Sequence, residues 1–226
     1  MIFDLYKKIL FYIGIIYFSI LLKKEKLVSS ENEYYELKKF IKKNQNVIDV
    51  GANIGRYSFK LSDLVGKKGL VYAFEPMEKC YITLLSLINF SNKKNILPFN
   101  LAISDKTTFV RMKEIESKND NNYLFGTQTE SRIVKSIKNS NIKYSIRLDD
   151  IKFNKKISFI KIDCEGSEVQ VLKGAKNIIK KNKPIILVEY NSPKIISFLK
   201  SIDYREIITN KKSRNKLFVY KKNYDV

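Results

Sequence analysis

The sequence predicts an α/β fold: a mostly parallel sheet with helices on both faces. Short β-type runs alternate with helical stretches from Val47 to Tyr190, and strands joined by helical crossovers lie parallel. The first run, N-V-I-D-V, carries Asp49 and turns through Gly51-Ala52-Asn53-Ile54-Gly55, in a chain with only 8 glycines. The second run ends on Glu75, 24 residues after Gly51. Ligands of open parallel sheets bind beyond the carboxyl ends of the strands, where these residues fall.

Each element has its own signal. Ser30 with Glu33 reads as a capping box opening a helix through about Lys43. Val47–Val50 is a strand and Ile54–Leu64 a helix; Gly69 precedes the strand Leu70–Glu75, and a helix runs from Met77 to about Asn89. Ile96–Asn100 is a third strand and Ile157–Asp163 a fourth. Ser167–Lys181 is a helix with Ser167 and Gln170 as its cap, and Pro184–Tyr190 is the fifth strand. Ser192-Pro193 places a serine cap and a first-turn proline on the next helix. Tyr204–Thr209 and Lys216–Lys221 read as a closing strand pair. Residues 107–151 break the rhythm, with strand-like Phe109–Met112 and Tyr144–Leu148 around a polar loop. An insertion at that end of a sheet commonly shapes a substrate site.

Composition narrows the chemistry. The 226 residues, 44% hydrophobic, suit one globular domain over residues 30–226 with an appendage over residues 1–29. Cys80 and Cys164 are far apart, so neither a disulfide framework nor a zinc site is supported. Histidine is absent, so any base must be a carboxylate, lysine or tyrosine. The net charge of +20 suits nucleic acid, anionic lipid or an acidic substrate. Its lysines are scattered without an arginine-rich block, so the charge reads first as codon usage rich in Lys, Asn and Ile rather than as the mark of a partner, and a nucleic-acid partner is disfavoured. Ile9–Leu22 is an apolar run of 14 between Lys7-Lys8 and Lys23-Lys24, short of the roughly 20 residues a span needs. Three readings stay open: a helix lying in a membrane surface, a helix packed on the domain, or a span. No small-residue cleavage site follows it, so the expected location is the cytoplasm, with the cytoplasmic face of the membrane as the alternative.

The glycine turn points to a nucleoside without phosphate. Its G-x-x-x-G spacing is neither the G-x-G-x-x-G pyrophosphate fingerprint nor a P-loop. A strand-end carboxylate such as Glu75 suits two ribose hydroxyls. S-adenosylmethionine has a ribose, an adenine, an amino acid and a sulfonium but no phosphate, and it fits.

Longer motifs sharpen this. D-V-G-A-N-I-G-R-Y-S, Y-A-F-E-P, A-I-S-D, R-L-D-D-I, F-I-K-I-D-C-E-G-S-E-V-Q-V-L-K-G-A and P-I-I-L-V-E stand in one order between Asn46 and Tyr190. In that order the chain resembles the FkbM family of methyltransferases. The resemblance implies a class I, Rossmann-like methyltransferase fold, with seven strands and the last antiparallel. It implies S-adenosylmethionine as donor and O-methylation of hydroxyls on sugars or polyketides. By position it implies Asp49, Gly51, Asn53 and Gly55 around the methionine part, Glu75 at the ribose, and Asn100, Leu101 and Ala102 along the adenine. Cys164 departs from the aliphatic residue more usual there, with little consequence for a small buried hydrophobe.

Without histidine, the candidate catalytic residues are strand-end carboxylates: Asp163 and Glu165 after the fourth strand, Glu189 in the fifth. With Glu168 they also offer oxygen ligands of the kind Mg²⁺ takes, although only the strand-end pair is well placed and no metal ligand is assigned. The expected acceptor is a small molecule or glycan. Alternatives are an RNA-binding or nucleic-acid methyltransferase drawn by the charge, and a membrane-bound scaffold without turnover. Against the first, the fourth strand ends I-D-C-E where base N-methyltransferases carry an N-P-P-Y type tetrad. The intact Glu75 and glycine turn argue against the second.

Overall fold

The computed structural model describes residues 12–17, 20, 32–115, 130–135, 140–190, 192–207 and 213–223. Its main sheet holds seven strands: β1 (Asn46–Val50), β2 (Leu70–Phe74), β3 (Ile96–Phe99), β8 (Ile157–Ile162), β9 (Ile185–Glu189), β10 (Tyr204–Ile207) and β11 (Asn215–Tyr220). Their spatial order is β10-β11-β9-β8-β1-β2-β3. Neighbours from β3 to β9 pair in parallel, and β11 runs antiparallel to both β9 and β10. β1 therefore lies at the centre, where the chain first winds out through β2 and β3 and then back through β8 and β9. A ligand crevice opens at such a reversal.

Residues of period two cover both faces. Val47, Val71 and Phe159 join one core with α2 (Arg56–Val65) and α3 (Glu78–Ser91). Ile48, Tyr72 and Ile160 face the other way, onto α4 (Glu168–Gly174), α5 (Lys176–Asn182) and α6 (Pro193–Lys200). Both faces being buried, the strands read as nearly continuous apolar runs. Asp49 and Lys161 interrupt two of them and are fully enclosed.

Local signals hold in part. Ser192 Oγ accepts from the Lys194 N–H at 3.3 Å with Pro193 at the first turn, as expected. Ser167 makes no such cap, and the expected single helix breaks at Ala175 into α4 and α5. The early helix is short: α1 (Asn32–Glu36) passes into a 3-10 turn, Leu37–Lys39, so it stops before Lys43. Ser30, and with it the expected capping box, lies outside the described residues; the Glu33 carboxylate is buried without a hydrogen-bond partner among those described. At the chain's start residues 12–17 are helical, and Ile15 is buried in the core that holds Tyr34 and Leu37.

The insertion builds a second sheet where two strands and a loop were expected. β4 (Ala102–Ile103), β5 (Thr108–Ile115), β6 (Glu130–Ile133) and β7 (Asn141–Ile146) take the order β4-β7-β5-β6. Residues 116–129 and 136–139, and with them most of the expected loop, lie outside the described residues. The sheet is tied back by Asp149 in the 3-10 turn Leu148–Asp150. Its carboxylate accepts from the Asn177 and Ile178 N–H groups at 3.0 and 2.9 Å, capping α5, while Arg147 lies 3.3 Å away. This gives the R-L-D-D-I motif its structural purpose. Asp149→Ala removes the cap and should lower stability by about 2 kcal/mol; urea unfolding measures it, and the melt of a Ser192→Ala control should move less.

Candidate active site

The strand ends meet first. The Asp163 N–H donates to the Val50 carbonyl at 3.1 Å, bringing β8 against the turn after β1. Gly51 there has φ +76°, and a Cβ would fall 1.8 Å from the Asp163 carbonyl oxygen. Gly55, at φ +99°, caps α2, and its Cβ would fall 2.5 Å from Leu84 Cδ1. Room for a ligand was the reason expected for these glycines; the neighbouring strand and helix need that room as well, and Gly51 also lines the cavity of the site.

The turn holds Glu75 by its carboxylate. Oε2 accepts from the Asn53 N–H and Oε1 from the Met77 N–H, both at 2.8 Å. Asn53 adopts φ +51° to make this bond, its Oδ1 accepting from the Ile54 N–H at 2.8 Å. Asn100 Nδ2 donates to the Glu75 and Pro76 carbonyls at 2.9 and 3.1 Å, fixing the backbone of the same segment. Burial pushes the Glu75 carboxyl up to about 7, against the pull of the two N–H groups. Each oxygen keeps a lone pair for a hydroxyl donor.

Beneath the turn lies Lys161. Its Nζ is 3.1 Å from Asp163 Oδ2 and 3.7 Å from Asp49 Oδ1. It also donates to the Gly51 carbonyl at 3.4 Å and sits 4.5 Å from the centre of the Tyr57 ring. Burial alone would lower its pKa; Asp163 and Asp49 outweigh that and hold it above the ordinary lysine range. Asp49 is raised by burial, against Lys161 and the Ser58 hydroxyl, which donates to Oδ2 at 2.6 Å.

After β8 the chain turns through Glu165, at φ +50°, and Gly166. Glu168 clamps that turn, Oε1 accepting from the Cys164 and Gly166 N–H groups at 2.9 and 3.1 Å. Asp163, Glu165 and Glu189 bring carboxylate oxygens within 4.8 Å of one another. Burial pushes Glu189 up to about 7; the carboxylates of Asp163, Glu165 and Glu168 add to that, and Arg214 opposes it.

A cavity of about 310 Å³ opens over these groups. Gly51, Asn53, Glu75, Leu101 and Ala102 line it among the residues expected at the donor; Asp49, Gly55 and Asn100 stand behind its wall. Asp163 and Glu165 also line it. Glu189 is outside the lining but joins their carboxylates. Sequence reasoning gave no role to Lys161, Tyr57, Arg56, Met112 or Ile133, which line the cavity too. In the sequence Lys161 shows only as a charge inside an apolar run, as Asp49 does; their pairing comes from the fold. The two are opposite charges at buried positions of adjacent central strands, in direct register.

The sheet, its antiparallel last strand and a cavity at the ends of β1, β2 and β8 define a Rossmann-like fold of the class I methyltransferase type. The chain belongs to the FkbM methyltransferase family: the profile of the Methyltransferase FkbM domain matches residues 49–206. The crystal structure of methyltransferase FkbM from Methylobacillus flagellatus KT is similar, at 21% identity and a TM-score of 0.54, covering 78% of this chain and 43% of that one. The chain thus spans well under half of that protein. A SAM-dependent methyltransferase from Aquifex aeolicus matches at 16% identity and a TM-score of 0.46, over 88% of this chain and 95% of that one. Aeropyrum pernix fibrillarin, solved with natively bound S-adenosyl-L-methionine, matches at 12% identity and a TM-score of 0.44, over 83% and 72%. No curated protein matches the sequence.

Lys161→Met leaves the enclosed Asp49 without its countercharge and should cost about 3–5 kcal/mol in urea unfolding. Asp49→Asn in the same chain should recover part of that loss, a non-additivity that only direct coupling produces.

Proposed function

We propose that the protein transfers a methyl group from S-adenosylmethionine to a hydroxyl oxygen of a sugar, a glycan or a related metabolite. The convergence of Asp163, Glu165 and Glu189 within 4.8 Å supports this reading most, because a hydroxyl needs a base and the chain has no histidine. The wall suits the donor: Glu75 has acceptor capacity for ribose hydroxyls, and Leu101 and Ala102 offer apolar surface for adenine. Among the described residues two cations line the cavity: Lys161, committed to Asp163 and Asp49, and Arg56, which lies over the Tyr34 and Tyr57 rings. When bound, the donor supplies an electrophilic methyl group. The chain's residues then have to orient the acceptor, worth about 7–11 kcal/mol in favourable cases, and take its proton.

Glu189 is the base this reading favours. A carboxyl near 7 is matched to proton transfer at neutral pH, whereas Asp163 is engaged by Lys161. Asp163 then serves to hold the strand ends, and Glu165 and Asp163 keep Glu189 basic by repulsion. The same three carboxylates have the ligand chemistry of Mg²⁺.

Four measurements test the proposal. Donor affinity, followed by calorimetry with S-adenosylhomocysteine, should weaken as pH falls through about 7, because a protonated Glu75 has lost acceptor capacity. Glu75→Ala should weaken it by about 1–3 kcal/mol and flatten the profile; an unchanged affinity would refute the ribose placement. At saturating donor, kcat should rise with pH through about 7, the range in which Glu189 loses its proton. Glu189→Gln should lower kcat by about 10²-fold or more with donor affinity retained. Loss of activity in EDTA, restored by magnesium, would instead make the cluster a metal site. Labelled methyl groups should enter glycan and sugar acceptors, and entry into RNA would overturn the acceptor class.

A further inference from the structure

The start of the chain carries an apolar surface that methyl transfer does not use. Tyr12, Ile13, Ile16, Tyr17 and Ile20 are 44–65% exposed, while Gly14 and Ile15 are buried and Ile15 joins the core around Tyr34, Leu37 and Tyr57. At 3.6 residues per turn the four exposed positions of the helical residues 12–17 fall within an arc of about 140°, and positions 14 and 15 fall on the opposite side. Five large apolar side chains side by side on a soluble surface mark an interaction site.

We infer that this face binds an anionic lipid bilayer, with the helix lying in the plane of the membrane surface. Charge selects that occupant over a second copy of the chain. The protein carries +20, and Lys7-Lys8 and Lys23-Lys24 flank the apolar run; two such chains repel, while an anionic surface attracts each one. Two of the five outward side chains are tyrosines, whose apolar ring and polar tip suit the headgroup level. Geometry selects the in-plane arrangement over a span. With Ile15 seated in the protein core, one side of the helix is committed to the domain, and only the other meets lipid. Among the described residues no helix is long and apolar enough to cross a membrane. Of the three readings the sequence left open, packing and interfacial binding become two sides of one helix.

The experiment uses the full chain with vesicles of phosphatidylcholine alone or mixed with phosphatidylglycerol. The protein should sediment with the mixed vesicles, less so as salt is raised. Ile13→Asn with Ile16→Asn should lower the partition coefficient at least about tenfold, with an unchanged melting temperature and donor affinity. Absence of binding to the mixed vesicles, or equal binding by the double variant, overturns the inference. So does a native dimer that the double variant converts to a monomer, which would make the face an interface between copies. Retention after an alkaline carbonate wash would show a span and overturn the in-plane arrangement.

Discussion

Lys161 is enclosed in the middle of a sheet, and the geometry of the site follows from how its charge is met. An ammonium out of water needs close anions and acceptors. It has Asp163 at 3.1 Å, the Gly51 carbonyl at 3.4 Å, Asp49 at 3.7 Å and the Tyr57 ring at 4.5 Å. These groups come from β1, the turn after it, α2 and the end of β8. One cation thereby fixes the relative positions of the strand ends over which the cavity opens. Gly51 completes the arrangement, because any Cβ would strike the Asp163 carbonyl and separate the two strands.

Around that fixed point the carboxylates divide by what they touch. Asp49 is sealed in the core and Asp163 is tied to Lys161, so both hold structure together. Glu168 is spent on two backbone N–H groups of the β8 turn. Burial raises Glu75 and Glu189 to about 7, and it raises Asp49 as well; unlike Asp49, the two glutamates stand at or beside the cavity and not in the sealed core. For both, the charged form costs the fold. Relative to an unfolded chain, their contribution to stability is complete below about 4.5 and is lost as pH rises through about 7. Groups that cost stability when ionised at neutral pH, placed at or beside a cavity, are what a functional site tends to contain.

The second sheet and the first helix extend the fold without altering its plan. β4 to β7 bring Met112 and Ile133 to the cavity wall, and Asp149 locks that sheet to α5. At the chain's start, Ile15 anchors one side of an apolar helix and leaves the other outward.

Sequence alone determined the order of the main-sheet strands and that helices connect them, because apolar runs between helical stretches admit few other arrangements. It also determined that Asp49, Glu75, Asp163, Glu165 and Glu189 fall at or near the carboxyl ends of strands, since that depends only on where each run stops. What a strand-end residue does was decided by tertiary structure. Glu75 and Asn100 are near neighbours in the fold, yet one faces the cavity and the other braces the backbone from outside it. That Gly55 also leaves room for Leu84, from a helix more than twenty residues on, was visible only in the fold. Lys161 acquired its purpose only when β8 came into register with β1. Local pattern sets the direction and length of the chain's segments, whereas a side chain's partner across the sheet depends on long-range pairing, which no local window contains.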